Sequence, residues 1–270
     1  LNNNKVRWGI AGLGNIAHRF VSDLIGYTDN AELYAVAARN KQRAEEFSGQ
    51  YGCAISYGSY QELANNPNVD AVYVATIHPF HKPLVELFLQ QGKHVLVEKP
   101  AFTHLEDWDA MAGLAEQKGL LLAEAMKTVT FPAYQSLKRF IEQESLTINE
   151  VEASFGNWHQ FDPDWHLFDP TLSGGATLDT GVYGLWLYAD LCHLMKKPLS
   201  KPHVEFFRDN PESEVDENVM FTFDGEFKGK VAASITRNQK REALFVDRVL
   251  RSLFMTNGGT RRILIFVLRV

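Results

Sequence analysis

Over its first 125 residues the chain repeats one pattern: a short apolar run, a turn, an amphipathic segment of helical length, and another apolar run. "VRWGIAG" leads into "NIAHRFVSDLIG", "ELYAVAA" into "KQRAEEFSGQYG", "DAVYVAT" into "HKPLVELFLQQG", and "HVLVEKP" into "LEDWDAMAGLAEQKG", before "LLLAEA" closes the series. Strands joined through helices of this length need right-handed crossovers. Such crossovers build a parallel sheet covered on both faces. The pattern predicts an α/β fold with a doubly wound parallel sheet over residues 1–125.

After Met126 the pattern changes. A helix over "FPAYQSLKRFIEQE" is followed by "INEVEASFGNW", an apolar and aromatic helix from about Val182 to Met195, and two stretches of period-two alternation, "VDENVMFTFDG" and "FKGKVAASITR". Alternation of that period predicts antiparallel strands with one buried face. Residues 126–270 are therefore expected to form a second α+β domain with an open, mostly antiparallel sheet. With 270 residues, 45% hydrophobic and 22% charged, the chain is long enough for one large or two modest domains and can bury a core.

The net charge of -6 argues against a nucleic-acid partner, which calls for clustered lysine and arginine. No run of about 18 apolar residues offers a membrane span, and "LNNNKVRWG" lacks the layout of a signal peptide, so a cytoplasmic protein is expected. Cys53 and Cys192 are too far apart in sequence for a CxxC site and read as buried thiols. The histidines have neither a cysteine cluster nor HExxH spacing, so no metal site is expected.

The first strand–helix turn reads "GIAGLGNIAHRF". Gly12 permits a tight turn, Gly14 the close approach of a pyrophosphate, and Ala17 close packing of helix on strand, while the helix start at Asn15 and Ile16 offers amides to the anion. The second strand ends in Ala38, Arg39 and Asn40, where an acid would grip a free ribose 2′-hydroxyl. Arginine suits a 2′-phosphate instead, so NADP is preferred over NAD.

Glu98 and Lys99 follow the strand "HVLV", at the end of a parallel strand where open α/β sheets bind ligands. Further on, "SGGATLDTGVYG" places Asp179 four residues before Tyr183, at the entrance to the apolar helix. Those two side chains share a helical face if the helix has begun by residue 179. Gly174 and Gly175 would let the backbone pass close to cofactor or substrate.

The "GLGNIA" turn, "EKP" and "GGATLDTGVY", in this order, resemble the Gfo/Idh/MocA oxidoreductases, and within them the branch holding dimeric dihydrodiol dehydrogenase and NADP-dependent sugar dehydrogenases. The resemblance runs from about residue 5 to 243. It implies a Rossmann domain followed by an open-sheet domain, with Lys99, Asp179 and Tyr183 meeting at the nicotinamide. It also implies that Thr76, His78 and His81, in "ATIHPFH", line the diphosphate and ribose side. The expected activity is hydride transfer between nicotinamide and a sugar, polyol or cyclic trans-diol. Tyr183 would be the acid/base, Lys99 would stabilise its anion, and Asp179 would orient the group or the substrate.

In "NWHQFDPDWHLFDPTL", Trp158, Phe161, Trp165 and His166 suit the apolar faces and hydroxyl edges of such a substrate, as a lid or as plain aromatic anchors. Relatives of this kind often form homodimers through the second-domain sheet. The branch commonly carries tryptophan and arginine where this chain has Lys127 and Val129, beside the expected substrate pocket. From about Leu244 the chain departs from the family pattern, and its apolar "ILIFVL" needs burial as a strand or against a partner. The competing readings are a non-catalytic dinucleotide-binding sensor or corepressor of the same fold, and an NAD-assisted glycosidase, which Arg39 disfavours.

Overall fold

The structure, a computed structural model, describes residues 5–247 and the backbone of residues 264–269. The chain divides into two compact units, Leu1–Ala125 and Met126–Val270.

In the first unit, β1 (Val6–Ala11), α1 (Asn15–Tyr27), β2 (Ala31–Ala37), α2 (Lys41–Tyr51), β3 (Ile55–Tyr57), α3 (Tyr60–Asn65), β4 (Ala71–Val74), α4 (His81–Gln90), β5 (His94–Val97), α5 (Leu105–Lys118) and β6 (Leu122–Glu124) follow one another. The strand order is β3-β2-β1-β4-β5-β6, with every pair parallel, as the strand–helix alternation requires. β1 is the first strand on either side of which the chain lays new strands, so its C-terminal end, at Gly12, is the switch point of the sheet.

Both faces of this sheet are covered. Val72, Val74 and Val97 pack with Phe88 and Leu89 of α4 in one core cluster. Ile10 and Val36 pack with Val21 of α1 and Phe47 of α2 in another. The chain breaks α2 and α5 with Gly52 and Gly119, both left-handed at φ 68° and 65°. Cys53 is a buried free thiol, and burial pushes it up from its ordinary pKa.

The second unit contains α6 (Pro132–Gln143), β7 (Ile148–Gly156), α7 (Val182–Leu194), β8 (His203–Phe207), β9 (Asn218–Asp224), β10 (Lys228–Ser234), β11 (Gln239–Asp247) and β12 (Leu264–Arg269). The order in its sheet is β12-β11-β7-β10-β9-β8. Among the described strands the pairs are antiparallel except β7 with β10, which run parallel from Glu150↔Lys228 to Gly156↔Ser234. One face is buried by α7. Tyr188 stacks on Phe223 at 3.7 Å, and the cluster extends through Leu191, Val231 and Phe245. Cys192 is a buried free thiol on the same helix.

The stretch expected to leave the pattern at Leu244 lies partly in this sheet. Residues 244–247 complete β11 along β7, and β12 pairs with β11 from Glu242↔Arg269 to Asp247↔Leu264. The intervening part of that stretch lies outside the described residues. Among the described residues no helix is long and apolar enough to cross a membrane.

Candidate active site

Gly12 sits at φ 92°, where an L side chain is strained, and a Cβ there would lie 2.8 Å from the Ala75 carbonyl oxygen and 2.8 Å from Thr76 Cγ2. The chain can turn here only because residue 12 has no side chain. Gly14 is different: it precedes α1 in extended backbone, and a Cβ on it would meet nothing within 4 Å. The amides of Ala17 and His18 open the helical ladder by donating to the Gly14 carbonyl, so those of Asn15 and Ile16 lie ahead of it. Thr76 Oγ1, after β4, is buried without a hydrogen-bond partner among the described residues. An open cradle at Gly14, a helix N-terminus and an orphaned hydroxyl fit the pyrophosphate and ribose of a dinucleotide.

Ala38 is buried and Arg39 exposed, directly after β2. The Arg39 guanidinium lies 5.1 Å from the centroid of Phe80. Arg43, on the first turn of α2, donates from Nη2 to the Leu13 carbonyl at 2.8 Å and so ties α2 to the glycine turn. Sequence reasoning missed Arg43, because a lone arginine on an amphipathic helix has no motif to mark it. Tyr60 is pushed up by burial, and both arginines oppose that shift.

At the end of β5, the half-buried Glu98 is held by the Tyr73 hydroxyl on Oε1 and by the Lys99 amide on Oε2 at 3.1 Å. His81 is only 1% exposed, and its place differs from the one expected of a cofactor contact. Its Nδ1 faces the carbonyls of Pro100 and Ala101 at 2.9 and 3.1 Å, and its Nε2 faces that of Thr76 at 2.9 Å. Both ring nitrogens are thus occupied by the chain's own carbonyls, and His81 is a strut joining the Thr76 and Pro100 turns. His78 is less buried, with its ring 5.8 Å from that of His81.

In the second unit, α7 is preceded by a π turn over Thr177–Gly181. Asp179 is therefore in a helical segment, but a wider one than the i, i+4 argument assumes. The two glycines ahead of it have a different reason from close passage of a ligand. A Cβ on Gly174 would lie 2.5 Å from the Leu167 carbonyl oxygen, and one on Gly175, at φ 109°, would lie 2.0 Å from Asp216 Oδ1. The backbone passes close to its own chain. Asp216 accepts from the Thr177 amide at 2.8 Å and the Thr177 hydroxyl at 2.5 Å, anchoring the start of the π turn. Burial pushes its carboxyl up, against those hydrogen bonds.

Tyr183, on the first turn of α7, is half-buried. Its ring meets that of Phe155 at 5.3 Å, and the Lys127 ammonium lies 5.6 Å from its centroid. Sequence comparison points to position 127 as a departure but does not reveal this pairing, which depends on a short 3-10 turn at Lys127–Thr130.

The aromatic segment after β7 is tied down at its start. The amide of Asn157 donates to Ser234, that of His159 to Ile235, and that of Trp158 to Asn238 Oδ1. Phe161 and Trp165 pack against the core beside Phe168, while Trp158 is 60% exposed and His166 is exposed. Phe161 and Trp165 are anchors of the second core. Among the described residues no group of three or more His, Cys, Asp or Glu side chains is placed to hold a metal ion.

Residues 6–126 match the family model described as an oxidoreductase family with an NAD-binding Rossmann fold. The trans-1,2-dihydrobenzene-1,2-diol dehydrogenase of Sus scrofa is 35% identical over 235 residues, 86% of this chain and 68% of the pig protein. The Mus musculus protein of the same name is 36% identical over 190 residues, 66% of this chain and 54% of the mouse protein. The chain thus spans about half the length of the mouse relative in that match.

Among solved structures, KijD10, a 3-ketoreductase from Actinomadura kijaniata in complex with NADP and TDP-benzene, superposes with a TM-score of 0.78. It is 23% identical, with 98% of this chain and 82% of that one covered. Apo scyllo-inositol dehydrogenase from Lactobacillus casei gives 0.77 at 16% identity, over 91% and 73%. These two show the fold. Sequence identity to the pig protein over most of both chains carries the rest: the chain belongs to the Gfo/Idh/MocA family of oxidoreductases, with an NAD-binding Rossmann fold at its N-terminus.

Proposed function

We propose that the protein is an NADP-dependent oxidoreductase acting on a hydroxyl or carbonyl of a small polyol, sugar or cyclic trans-diol. The observation that carries this reading is the 235-residue match to the pig dehydrogenase. A match of that length in a chain of 270 includes Lys99, Asp179 and Tyr183 wherever it begins. Bound nicotinamide supplies hydride exchange with carbon. The chain's own part is to move the proton: Tyr183 holds or releases it at Oη, Lys99 stabilises the phenolate, and Asp179 orients a substrate hydroxyl. Gly14, Asn15 and Ile16 cradle the pyrophosphate, and Arg39 receives the 2′-phosphate. Trp158 and His166, both exposed, offer a ring face and an imidazole to the substrate.

The two units correspond in this reading to cofactor-binding (1–125) and substrate-binding (126–270) domains. Homodimerisation through the second sheet is supported by β8 and its neighbour, where Val204, Phe206, Phe207 and Met220 are exposed. Sedimentation showing only monomer at micromolar concentration overturns that part.

The test of function is fluorescence titration with NADPH and NADH, followed by a panel of aldoses, ketoses and trans-dihydrodiols read by nicotinamide absorbance. Turnover of at least one substrate, lost by orders of magnitude in Tyr183→Phe with NADPH binding intact, is the expected result. NADPH binding with no turnover on any substrate replaces the enzyme by a dinucleotide sensor.

A further inference from the structure

The surroundings of Tyr183 within the second unit carry more charge than a helix-entrance phenol needs. The Lys127 ammonium stands 5.6 Å from the centroid of its ring, within the range of cation–π attraction. Lys127 is itself exposed, but its backbone is fixed. The Val129 amide donates to Met126, the Phe131 amide to Thr128, and the Thr130 hydroxyl to the Lys127 carbonyl at 2.8 Å. Thr128, next in the chain, is 3% exposed and lines a small cavity with Tyr183, Arg241 and Glu242. The Arg241 guanidinium lies 5.4 Å from the centroid of Phe155, the ring that touches Tyr183.

Among the described residues of the second unit, the charged groups these contacts place about Tyr183 are Lys127 from the 3-10 turn and, lining the cavity, Arg241 and Glu242 from β11. Asp179 stands four residues earlier in the chain, in the π turn. β7 and β10 contribute Ala153, Ser154, Phe155, Val231 and Ala232 to the cavity, none of them charged. Arg241 donates to Asn157 Oδ1 and stands over the Phe155 ring, while Glu242 pairs with Lys240 at 3.5 Å, so each of these charges has its own partner away from the phenol ring. The Lys127 ammonium is set against the ring itself.

We propose that Lys127 is a positioning residue for Tyr183, its ammonium over the ring favouring the phenolate over the phenol and so setting the pH range in which Tyr183 exchanges a proton. The inference rests on the reading of Tyr183 as the acid/base. Loss of the phenolic proton spreads negative charge into the ring, so a cation near the ring interacts more strongly with the product of ionisation than with the reactant. Because Lys127 is exposed, water screens the effect to about 0.5–1 pH unit at this separation.

The experiment titrates the phenols of the full chain, labelled with 13C-tyrosine, by NMR, with Tyr183→Phe identifying the Tyr183 resonance. In Lys127→Met the Tyr183 midpoint rises by about 0.5–1 pH unit, and the pH profile of kcat/KM moves by the same amount. Lys127→Arg keeps both near the wild-type values, and Lys127→Glu raises the midpoint beyond that of Lys127→Met. Equal Tyr183 midpoints in wild type, Lys127→Met and Lys127→Glu, with NADPH binding unchanged, overturn the proposal. A shifted midpoint together with full turnover in Tyr183→Phe upholds the coupling of Lys127 to Tyr183 and sinks the acid/base reading instead.

Discussion

The guanidinium of Arg39 lies 5.1 Å from the centre of the Phe80 ring, so a cation that follows β2 is braced by an aromatic that follows β4. Strands β2 and β4 flank β1 in the sheet, which puts this pair beside the glycine turn of β1. If the guanidinium receives a 2′-phosphate, Arg39→Ala removes a charge-assisted hydrogen bond of about 1.5–3 kcal/mol. NADPH affinity then falls by roughly 10–100-fold while NADH affinity changes little. Parallel fluorescence titrations decide it, and an equal loss for both dinucleotides takes Arg39 out of cofactor selection.

The two glycines of the turn should respond oppositely to alanine. Gly12→Ala forces a Cβ into the Ala75 carbonyl and Thr76 at positive φ, and costs about 2 kcal/mol or more of stability. Gly14→Ala meets nothing of the protein, and stability stays within about 1 kcal/mol of wild type. Its methyl instead enters the space assigned to the pyrophosphate, so NADPH binding drops at least tenfold. Urea denaturation and NADPH titration of both variants separate the cases. Undiminished NADPH binding by Gly14→Ala would falsify the cradle.

Acid should expose a specific contribution in the second unit. The Asp209 carboxylate is held down to a pKa of about 2, chiefly by hydrogen bonds from Arg237 and further by Thr236 and Asn218. A carboxyl whose folded value lies below its unfolded value of about 3.9 adds stability above the unfolded value. That contribution is lost as pH falls towards the folded value. The stability gap between wild type and Asp209→Asn is therefore constant from about pH 7 to pH 5 and closes progressively below about pH 4. Urea midpoints of the two proteins across this range measure the gap. A gap that does not narrow in acid rules out the linkage.

The core under α7 has no room at one position of β10. A Cβ on Gly229 would stand 2.6 and 2.7 Å from Cδ2 and Cε2 of Tyr188. That ring cannot retreat easily, since it stacks on Phe223 and its hydroxyl is bonded to the Phe227 carbonyl at 3.0 Å and to Ser200 Oγ at 2.9 Å. Gly229→Ala is expected to cost about 1–3 kcal/mol by overpacking. Thermal denaturation reads the loss, and a melting curve identical to wild type contradicts the packing.

The first unit was legible because each of its central strands is a short apolar run that ends in a turn, as with Ala71–Val74, buried at all four positions. Elements below that size leave too little pattern. The three-residue β3 and the six-residue α3 are such cases, and β8, exposed along its whole length at a sheet edge, shows no buried alternation. β11 was obscured where its last residues run into a stretch that departs from the family pattern, although its pairing with β7 extends to Asp247. Within the candidate site, motifs pointed to Gly12, Gly14, Lys99 and Tyr183, but not to partners brought in by tertiary geometry. Arg43 on the Leu13 carbonyl and Lys127 over Tyr183 are of that kind, and so is the burial of both His81 nitrogens against chain carbonyls.

The π turn at Thr177–Gly181 makes this stretch sensitive to length in a way that composition does not reveal. A π turn is what a helix keeps when it holds one residue more than its α ladder can use. Deleting a single residue there lets the α ladder close and rotates everything upstream by about 100° around the axis relative to α7. Asp179, upstream of the deleted position, would then be turned about the axis relative to Tyr183 at the start of α7, although neither residue had been changed. Exchanges of one side chain for another at Leu178 preserve that phase. Insertions and deletions do not, so natural variation across these five positions should run through substitution at constant length.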